Sequence, residues 1–394
     1  MRDIPEDFQL GAVEAGFRYA NRPDLVLIYS LRPARAAGIF TTNVFKAAPV
    51  QVARKNLGSS SRFRAVLINA GQANACTGDE GLEDCRGTLQ MAAGLLNVSA
   101  GEILPASTGV IGSRMPMHVW SEKLPLLKQA LGQTGSIEAA RGIMTTDKFP
   151  KTSSRELELE RGKIRFLGMA KGAGMICPNM ATMLAFIISD VEISGDLWSE
   201  LLVKAVGDSF NAITVDGDTS TNDCVLALAN GASEAGPGSR EEEEKVGRAL
   251  EDICRDLAYQ IVCDAEGGTK VMHIRVTGAK NRVEAEVAAR AVGNSCLVKT
   301  AMFGGDPNWG RIVAALGRSS ADFDPLGVRL SLAGHEIFSG GRPAEMDIDR
   351  VVAPGMKSKD IRVEIDLGAG QGTYILLASD LSEEYIRINA DYRS

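Results

Sequence analysis

The sequence has few aromatic residues, few histidines and no apolar run long enough to cross a membrane. Aromatic residues make up 5% of its 394 residues, and it contains three histidines. Because a transmembrane helix needs about 20 consecutive apolar residues, we do not expect a membrane protein. The net charge of −7 is spread over both signs without a basic face, so we do not expect nucleic-acid binding.

The sequence also lacks the cysteine patterns of disulfide-rich or zinc-binding proteins. Its seven cysteines are widely spaced, and no CxxC pair occurs. Such cysteines are expected to be buried thiols in a reducing compartment. The start of the chain, MRDIPEDFQLGA, carries acidic residues and no apolar secretion signal, so we expect a cytoplasmic protein.

No metal or nucleotide motif is present. The histidines lie far apart and form no HExxH pattern, and the acidic stretch 213–231 lacks the glutamate and spacing of a calcium-binding loop. The stretch 297–312, LVKTAMFGGDPNWGRI, does not match the GxGxxG pattern of dinucleotide sites, and we interpret it as a dense loop. We therefore predict no metal site.

Short apolar runs between amphipathic segments predict a mixed α/β protein. The run 24–31 is closed by an Arg-Pro pair at 32–33 and predicts a buried strand that ends there, followed by a second strand at 38–44. The longest helix is predicted to begin at Ser239. The C-terminal segment Glu384–Ala390 contains strand-forming residues and predicts a final strand.

The stretch Lys171–Phe186, KGAGMICPNMATMLAF, leads from a lysine and two glycines into an apolar strand, with Ala181 and Thr182 at the junction. Thr182 there is either an ordinary β-branched strand residue or a latent nucleophile. In the second interpretation the chain cuts its own Ala181–Thr182 bond. The new α-amine of Thr182, with an unperturbed pKa of about 7.7–8.0, then serves as its base. The scarcity of histidine favours this self-supplied base.

Three other polar features allow a structural or a functional interpretation. The Ser-Thr-Gly stretch 107–109 forms either a turn or the paired N–H and O–H donors of an oxyanion hole. The Thr-Thr-Asp stretch 145–147 either caps a turn or lines a polar pocket. Glu266 lies at a predicted helix C-terminus, where an acid is unfavourable, so it is either a surface residue or a ligand-binding one.

Seven motifs occur in a fixed order along almost the whole chain: FTTNVFKAAPV, GQANACTGDEGLED, STGVIG, KGAGMICPNMATML, DGDTSTND, LVKTAMFGGDPNWGRI and INADYRS. With these motifs the sequence resembles the ornithine acetyltransferase family of arginine biosynthesis, also called the glutamate N-acetyltransferase family. The resemblance implies an α/β sandwich and a precursor that cuts itself into an upstream chain, 1–181, and a downstream chain, 182–394. It further implies that these chains are intertwined and form a heterotetramer with two copies of each.

The resemblance implies an acyltransferase that moves the acetyl group of N2-acetyl-L-ornithine to L-glutamate. The reaction is a ping-pong transfer through acetyl-Thr182, without metal or cofactor, and it leaves open whether acetyl-CoA is a second donor. Thr108 and Gly109 are implied to stabilise the oxyanion. Substrate contacts are implied for six residues, with Thr146 as the alternative to the first: Thr145, Lys171, Thr182, Glu266, Asn389 and Ser394.

The sequence departs from the family pattern at several places. Residues Ile375–Asp380 read ILLASD where an aromatic-glycine-cysteine stretch is usual, and Ser394 replaces a terminal threonine but keeps its hydroxyl. Ala173 and Cys177 also stand where other small residues are usual. The first difference bears on substrate preference more than on chemistry. Two other functions stay open: a self-processing aminopeptidase or amidohydrolase, which would release free acetate, and a non-catalytic binding homologue, which would remain uncut.

Overall fold

A computed structural model of the protein describes residues 3–177 and 183–391. The chain divides into two compact units. Within the described residues, unit 1 comprises 3–177, 183–211 and 218–261, and unit 2 comprises 212–217 and 262–391. Each unit is built around its own sheet, which confirms the predicted mixed α/β class.

The strands of the two units are, in chain order, β1 Phe8–Val13, β2 Leu25–Phe40, β3 Phe63–Gln72, β4 Ile103–Val110, β5 Lys151–Leu159, β6 Gly162–Lys171, β7 Leu184–Ser189, β8 Ile213–Thr214, β9 Cys224–Ala229, β10 Val271–Ala279, β11 Arg329–Leu332, β12 His335–Ser339, β13 Arg342–Pro343, β14 Asp360–Asp366 and β15 Gly372–Ser379.

The helices are α1 Ala48–Ser59, α2 Gly78–Leu96, α3 Met117–Gln129, α4 Ser136–Gly142, α5 Gly195–Gly207, α6 Arg240–Cys263, α7 Arg282–Gly293, α8 Cys296–Gly304, α9 Trp309–Gly317, α10 Ile348–Val352 and α11 Glu383–Asp391. Within the described ranges, no helix is both long enough and apolar enough to span a bilayer.

The sheet of unit 1 has the strand order β4-β3-β2-β9-β7-β6-β5, and β1 pairs with β2. The predicted break at Arg32 and Pro33 is wrong, because β2 runs through both residues. Its first part pairs with β1 and β3 and its second part, from Arg35, with β9. Residues 31–33 fall between these pairings, so the missing N–H of Pro33 interrupts no ladder.

The centre of this sheet combines strands from both predicted chains. Strands β7 and β9, which belong to the predicted downstream chain, pair in parallel with each other. They lie between β2 and β6 of the predicted upstream chain, and both of those junctions are antiparallel. The two predicted chains therefore share one continuous hydrogen-bonded sheet.

Helix α6 covers part of this sheet and begins as predicted. Ser239 accepts a hydrogen bond from the backbone N–H of Glu242, 3.3 Å away, and so caps the helix. Gly168 of β6 lies under the helix, because a Cβ there would approach Ile253 to 2.6 Å and Leu257 to 2.8 Å. This close approach of the helix to the strand requires a glycine.

The sheet of unit 2 has the order β13-β12-β11-β14-β10-β15-β8, and α7 packs on β10 and β15. The predicted dense loop at 297–312 is wrong, since most of it forms α8 and α9. Gly305, in the left-handed conformation with φ of 69°, ends α8. Asn308 caps α9 by accepting from the N–H of Arg311. The turn-forming residues thus form only a short connection between two helices.

The predicted C-terminal strand at 384–390 is also wrong. This segment lies in α11, which carries Glu383 and Glu384 in its first turn, where acids are favourable. Tyr385 and Ile388 are partly buried, while Ile386 is 67% exposed. The two partly buried residues are three positions apart, the spacing of one helix face rather than of one strand face.

Candidate active site

Three predicted site residues lie outside the described residues. They are Ala181 and Thr182 at the predicted cleavage point, and Ser394 at the predicted substrate-binding site. The described chain resumes at Met183, and Leu184 begins β7. Leu184 pairs on one side with Lys171, the last residue of β6, and on the other with Cys224, the first residue of β9. One end each of β6, β7 and β9 therefore lies at Leu184, two positions after the predicted nucleophile Thr182 in the sequence.

Thr108 and Gly109 lie near the end of β4, not in a separate turn. They pair with Ala70 and Gly71 of the parallel strand β3. Gly109 has φ of 132°, and a Cβ there would lie 2.2 Å from the carbonyl carbon of Gly71. A side chain would collide with the neighbouring backbone, so this position requires glycine.

A buried amide fixes the backbone just before Thr108. Asn222 donates from Nδ2 to the carbonyl oxygens of Ser107, at 2.8 Å, and Ala73, at 2.6 Å. The hydroxyl of Ser107 in turn donates to Oδ1 of Asn69 at 2.6 Å. Such satisfied buried polar groups specify one arrangement of the strand end, as an oxyanion hole requires.

Lys171 lies beside Thr108. Its Nζ is 3.5 Å from Oγ1 of Thr108, and the residue is 9% exposed. The carboxyl groups of Asp147 and Asp223 both interact electrostatically with this ammonium. Two of the predicted site residues, 63 positions apart in the sequence, are thus brought together.

Asp147 holds the Thr145 loop and the chain after Lys171 in place. Its Oδ1 accepts from Nζ of Lys151 and from the N–H of Gly172, both at 2.7 Å, and its Oδ2 accepts from the N–H of Thr145 at 2.9 Å. The side chains of Asp147 and Lys151 are both fully buried.

Burial raises the pKa of Asp147, but the attraction of Lys151 and Lys171 and the hydrogen bonds outweigh it. The pKa therefore lies well below its usual range, and the carboxylate stays ionised. The stretch 145–147 predicts a turn cap or a polar pocket, and Asp147 does cap the turn at Thr145. Its pair with Lys151 is not predicted from the sequence, although the two residues are four positions apart.

Asp223 is a second buried carboxyl beside Lys171. It is 3% exposed, and within the described chain its Oδ2 has no hydrogen-bond partner. Its hydrogen bonds come from Ser220 and from the backbone of Met183. Burial raises its pKa well above the usual range, and Lys171 and these hydrogen bonds oppose the shift only in part. In the sequence this residue is only one acid of the stretch 213–231, which does not fit a calcium-binding loop.

In unit 2, Glu266 and Asn389 contact each other directly. Glu266 is 7% exposed and follows α6, and its Oε2 accepts from Nδ2 of Asn389 at 2.8 Å. Gly267, with φ of 67°, allows α11 to pack closely, because a Cβ there would lie 2.4 Å from the N of Tyr385. The predicted alternative that Glu266 is a surface residue is wrong.

The sequence departure at 375–380 lies mainly in β15, which pairs with β10. Ile375 is 57% exposed, while Asp380 is buried and accepts from the N–H groups of Thr269, at 2.8 Å, and Lys270, at 3.1 Å. The chain after Glu266 and Gly267 is thus fixed by Asp380.

Cysteines and acidic residues form no cofactor site that the described residues reveal. All seven cysteines are free thiols, but Cys76 and Cys296 are exposed, so the expectation of buried thiols is wrong for these two. Over residues 3–177 and 183–391, no group of three or more His, Cys, Asp or Glu side chains is placed to hold a metal ion.

Comparison with known proteins places this arrangement in a family. The model of the ArgJ family matches residues 9–394. The chain belongs to the ArgJ family. A relative from Nitratidesulfovibrio vulgaris named arginine biosynthesis bifunctional protein ArgJ is 54% identical over 394 residues, covering 100% of both chains. A relative of the same name from Synechocystis sp. is 43% identical over 402 residues, covering 98% of this chain and 96% of the relative.

A solved structure agrees with this assignment. The crystal structure of arginine biosynthesis bifunctional protein ArgJ from Bacillus halodurans is 36% identical, with a TM-score of 0.51, and its chain is matched over 100% of its length and 54% of this one. The resemblance inferred from the motifs is confirmed. As an ArgJ protein, the chain is an acetyltransferase of arginine biosynthesis, and neither a hydrolase nor a non-catalytic homologue is favoured.

Proposed function

We propose that this ArgJ protein transfers the acetyl group of N2-acetyl-L-ornithine to L-glutamate through an acetyl ester on Thr182. The observation that carries the proposal is the contact between Lys171 and Thr108 where β6 meets β7. It brings a cation suited to a substrate carboxylate next to a hydroxyl suited to an oxyanion.

The nucleophile arises by self-cleavage of the Ala181–Thr182 bond, which yields chains 1–181 and 182–394. The length of one matching chain supports this division. The downstream chain holds 213 of the 394 residues, about 54%, and the Bacillus halodurans chain covers 54% of this sequence over its full length. Strands from both sides of the cut share one sheet, so the two chains stay joined after cleavage.

In the first half-reaction, Oγ of Thr182 attacks the acetyl carbonyl carbon and its proton passes to the α-amine of the same residue. Thr108 and the N–H of Gly109 stabilise the oxyanion. The C–N bond to ornithine then breaks, the leaving nitrogen takes the proton, and the acetyl ester remains on Oγ. In the second half-reaction the neutral α-amine of glutamate attacks this ester, and Oγ recovers a proton as its bond to the acetyl group breaks.

Charged side chains orient the substrates in this scheme. Lys171 takes a substrate carboxylate and Glu266 a substrate ammonium, since opposite charges and hydrogen bonds fix orientation. Thr145, Asn389 and Ser394 add polar contacts. The partial exposure of both Thr145 and Thr146 keeps either threonine accessible for the first of these contacts.

Three finer assignments belong to the proposal. The relatives named bifunctional support acetyl-CoA as a second donor to glutamate. A heterotetramer with two upstream and two downstream chains is the proposed assembly. The seven free thiols are compatible with a reducing compartment, and a cytoplasmic location is proposed on that ground.

The test is an assay of the purified protein with N2-acetylornithine and glutamate. We expect equal amounts of ornithine and N-acetylglutamate, parallel double-reciprocal lines, and an acetylated downstream chain when glutamate is withheld. A second reaction with acetyl-CoA and glutamate tests the other donor. Release of free acetate in place of N-acetylglutamate would support a hydrolase and refute the transferase.

A further inference from the structure

Two buried carboxyl groups, those of Asp147 and Asp223, interact with Lys171. They differ in whether both of their oxygen atoms have hydrogen-bond partners. Asp147 accepts three hydrogen bonds, one of them from the ammonium of Lys151. Asp223 has no such cation of its own, and its Oδ2 has no partner among the residues that the structure describes. A buried polar atom left without a partner is rare in a folded protein and points to a functional role.

Strand register fixes Asp223 near Lys171. Asp223 directly precedes Cys224, which pairs with Leu184, and Leu184 pairs with Lys171. Lys171 ends β6 and Asp223 directly precedes β9, so their backbones flank β7 at the same end of the sheet, two strand spacings of about 4.8 Å each apart. The carbonyl of Asp223 also accepts from the N–H of Thr41, which holds its backbone.

Lys171 is the charged side chain that acts on Asp223. Asp147 and Lys151 form an ion pair and cancel each other. Ser220, Met183 and Cys224 present uncharged groups to Asp223, since burial raises the pKa of the Cys224 thiol and keeps it protonated. The cluster of Lys151, Lys171, Asp147 and Asp223 has a net charge of +1 when Asp223 is protonated and zero when it is ionised.

We propose that Asp223 is a positioning residue that controls the positive charge which Lys171 offers to a substrate carboxylate. While Asp223 carries a proton, the ammonium is free to pair with the substrate. When Asp223 is ionised, it attracts the ammonium and competes with the substrate carboxylate. The proposal rests on the assignment of Lys171 to a substrate carboxylate made above.

Burial favours the protonated form of Asp223, because it raises the pKa of this carboxyl well above the usual range. The sign of the pH effect follows. Below that pKa the cluster carries +1, and as the pH rises through it the charge falls to zero. Substrate affinity in the wild type should therefore fall on the alkaline side, whereas Asp223→Asn, which is uncharged at every pH, should not show this loss.

The experiment compares kcat/KM for N2-acetylornithine in the wild type and Asp223→Asn from pH 6 to pH 10. Other titrating groups, including the α-amine of Thr182, are common to both enzymes and cancel in the ratio of variant to wild type. We expect a ratio that is constant at low pH and rises by about tenfold on the alkaline side, mainly through KM. The control is Asp190→Asn, since Asp190 is also buried but bonds to Glu6 and Arg165 at the other end of β7.

A ratio that does not change with pH would overturn the proposal and leave Asp223 a structural residue. If Asp223→Asn fails to fold, wild-type enzyme labelled with ¹³C in its aspartate carboxyl groups is titrated by NMR. One carboxyl that keeps its proton at pH 7 supports the proposal, and none that does so overturns it. Lys171→Gln tests the underlying assignment separately: an unchanged KM there would remove the substrate contact, whatever the Asp223 ratio shows.

Discussion

Asn389 on the C-terminal helix donates a 2.8 Å hydrogen bond from its side-chain amide to the buried carboxylate of Glu266. The same amide also donates to the carbonyl of Tyr385 at 3.0 Å, so its position is fixed from two sides. Tyr385 in turn donates to Asp216 at 3.2 Å. Chain ends are usually frayed and dispensable, but helix α11 is attached to a predicted substrate-binding carboxylate.

Asn389→Ala should raise KM for N2-acetylornithine several-fold and leave self-cleavage intact, because it frees one oxygen of Glu266 from its partner. Deletion of residues 390–394 should act in the same direction. Steady-state kinetics and a denaturing gel measure both effects. Arg387→Ala is the control, since its side chain is 76% exposed and pairs only with Glu384 among the ion pairs of α11. Unchanged kinetics in both altered enzymes would remove Asn389 from the site.

The wild-type protein should run as two bands on a denaturing gel, and the downstream band should begin with TMLAF. Thr182→Ala should stay a single chain without transferase activity, because the nucleophile is lost. Thr182→Ser keeps a hydroxyl and should still cleave, though more slowly. N-terminal sequencing and time-resolved gels provide the readout. An uncut wild-type chain with full activity would rule out an N-terminal nucleophile.

Thr108→Ala should lower kcat by about 10²–10³ with a small effect on KM, as expected for a donor that acts when charge develops on oxygen. Thr108→Ser is the matched control and should retain most of the rate. The measurement is steady-state kinetics at saturating glutamate. A change confined to KM would make Thr108 an ordinary substrate contact.

Breaking the buried pair of Asp147 and Lys151 should destabilise unit 1 strongly. Lys151→Met leaves an uncompensated buried carboxylate and should cost about 3–5 kcal/mol. Adding Asp147→Asn should recover part of this loss, because the carboxylate that lost its partner is then removed as well. Urea midpoints of the single and double variants test this, and Lys163→Met, which breaks an exposed pair with Glu156, should change the midpoint little. Additive losses in the double variant would contradict the expected coupling.

The same pair predicts how the stability of unit 1 depends on pH. The pKa of Asp147 is lowered in the fold, so its stabilisation is present above the unfolded value of 3.8 and is lost as the pH falls below it. The wild type should therefore lose stability more steeply below about pH 4 than the double variant does.

Short sequence patterns predict helix and strand ends correctly where interactions between nearby residues decide the structure. Ser239 precedes an acidic first turn and an apolar stripe, and the helix begins there. Pro33 shows the limit of such rules: it normally ends a strand, but here it falls in a gap between two ladders that distant residues create. The segment 384–390 satisfied both helix and strand patterns, and its contacts with residues 216 and 266 decided between them.

The candidate site likewise contains residues that the sequence identifies and residues that it does not. Thr108 and Lys171 could be named because they stand in distinctive motifs, and Glu266 because it is an acid at a predicted helix C-terminus. The burial of Lys151 and Asp223 could not, because it follows from the pairing of β5, β6, β7 and β9, in which partners such as Leu184 and Cys224 lie far apart in the sequence. A lysine and an aspartate in polar surroundings give no local sign that they will be enclosed.

The order of strands in unit 1 has a consequence for how the protein behaves after the proposed cleavage. Strands β9 and β7 of the proposed downstream chain lie between β2 and β6 of the proposed upstream chain, so neither chain can leave without breaking two ladders. A folded precursor forms this arrangement within one chain, whereas two separated polypeptides must find each other in solution. Heat or urea should thus inactivate the cut protein irreversibly, and the intact Thr182→Ala chain should regain its fold after the same treatment.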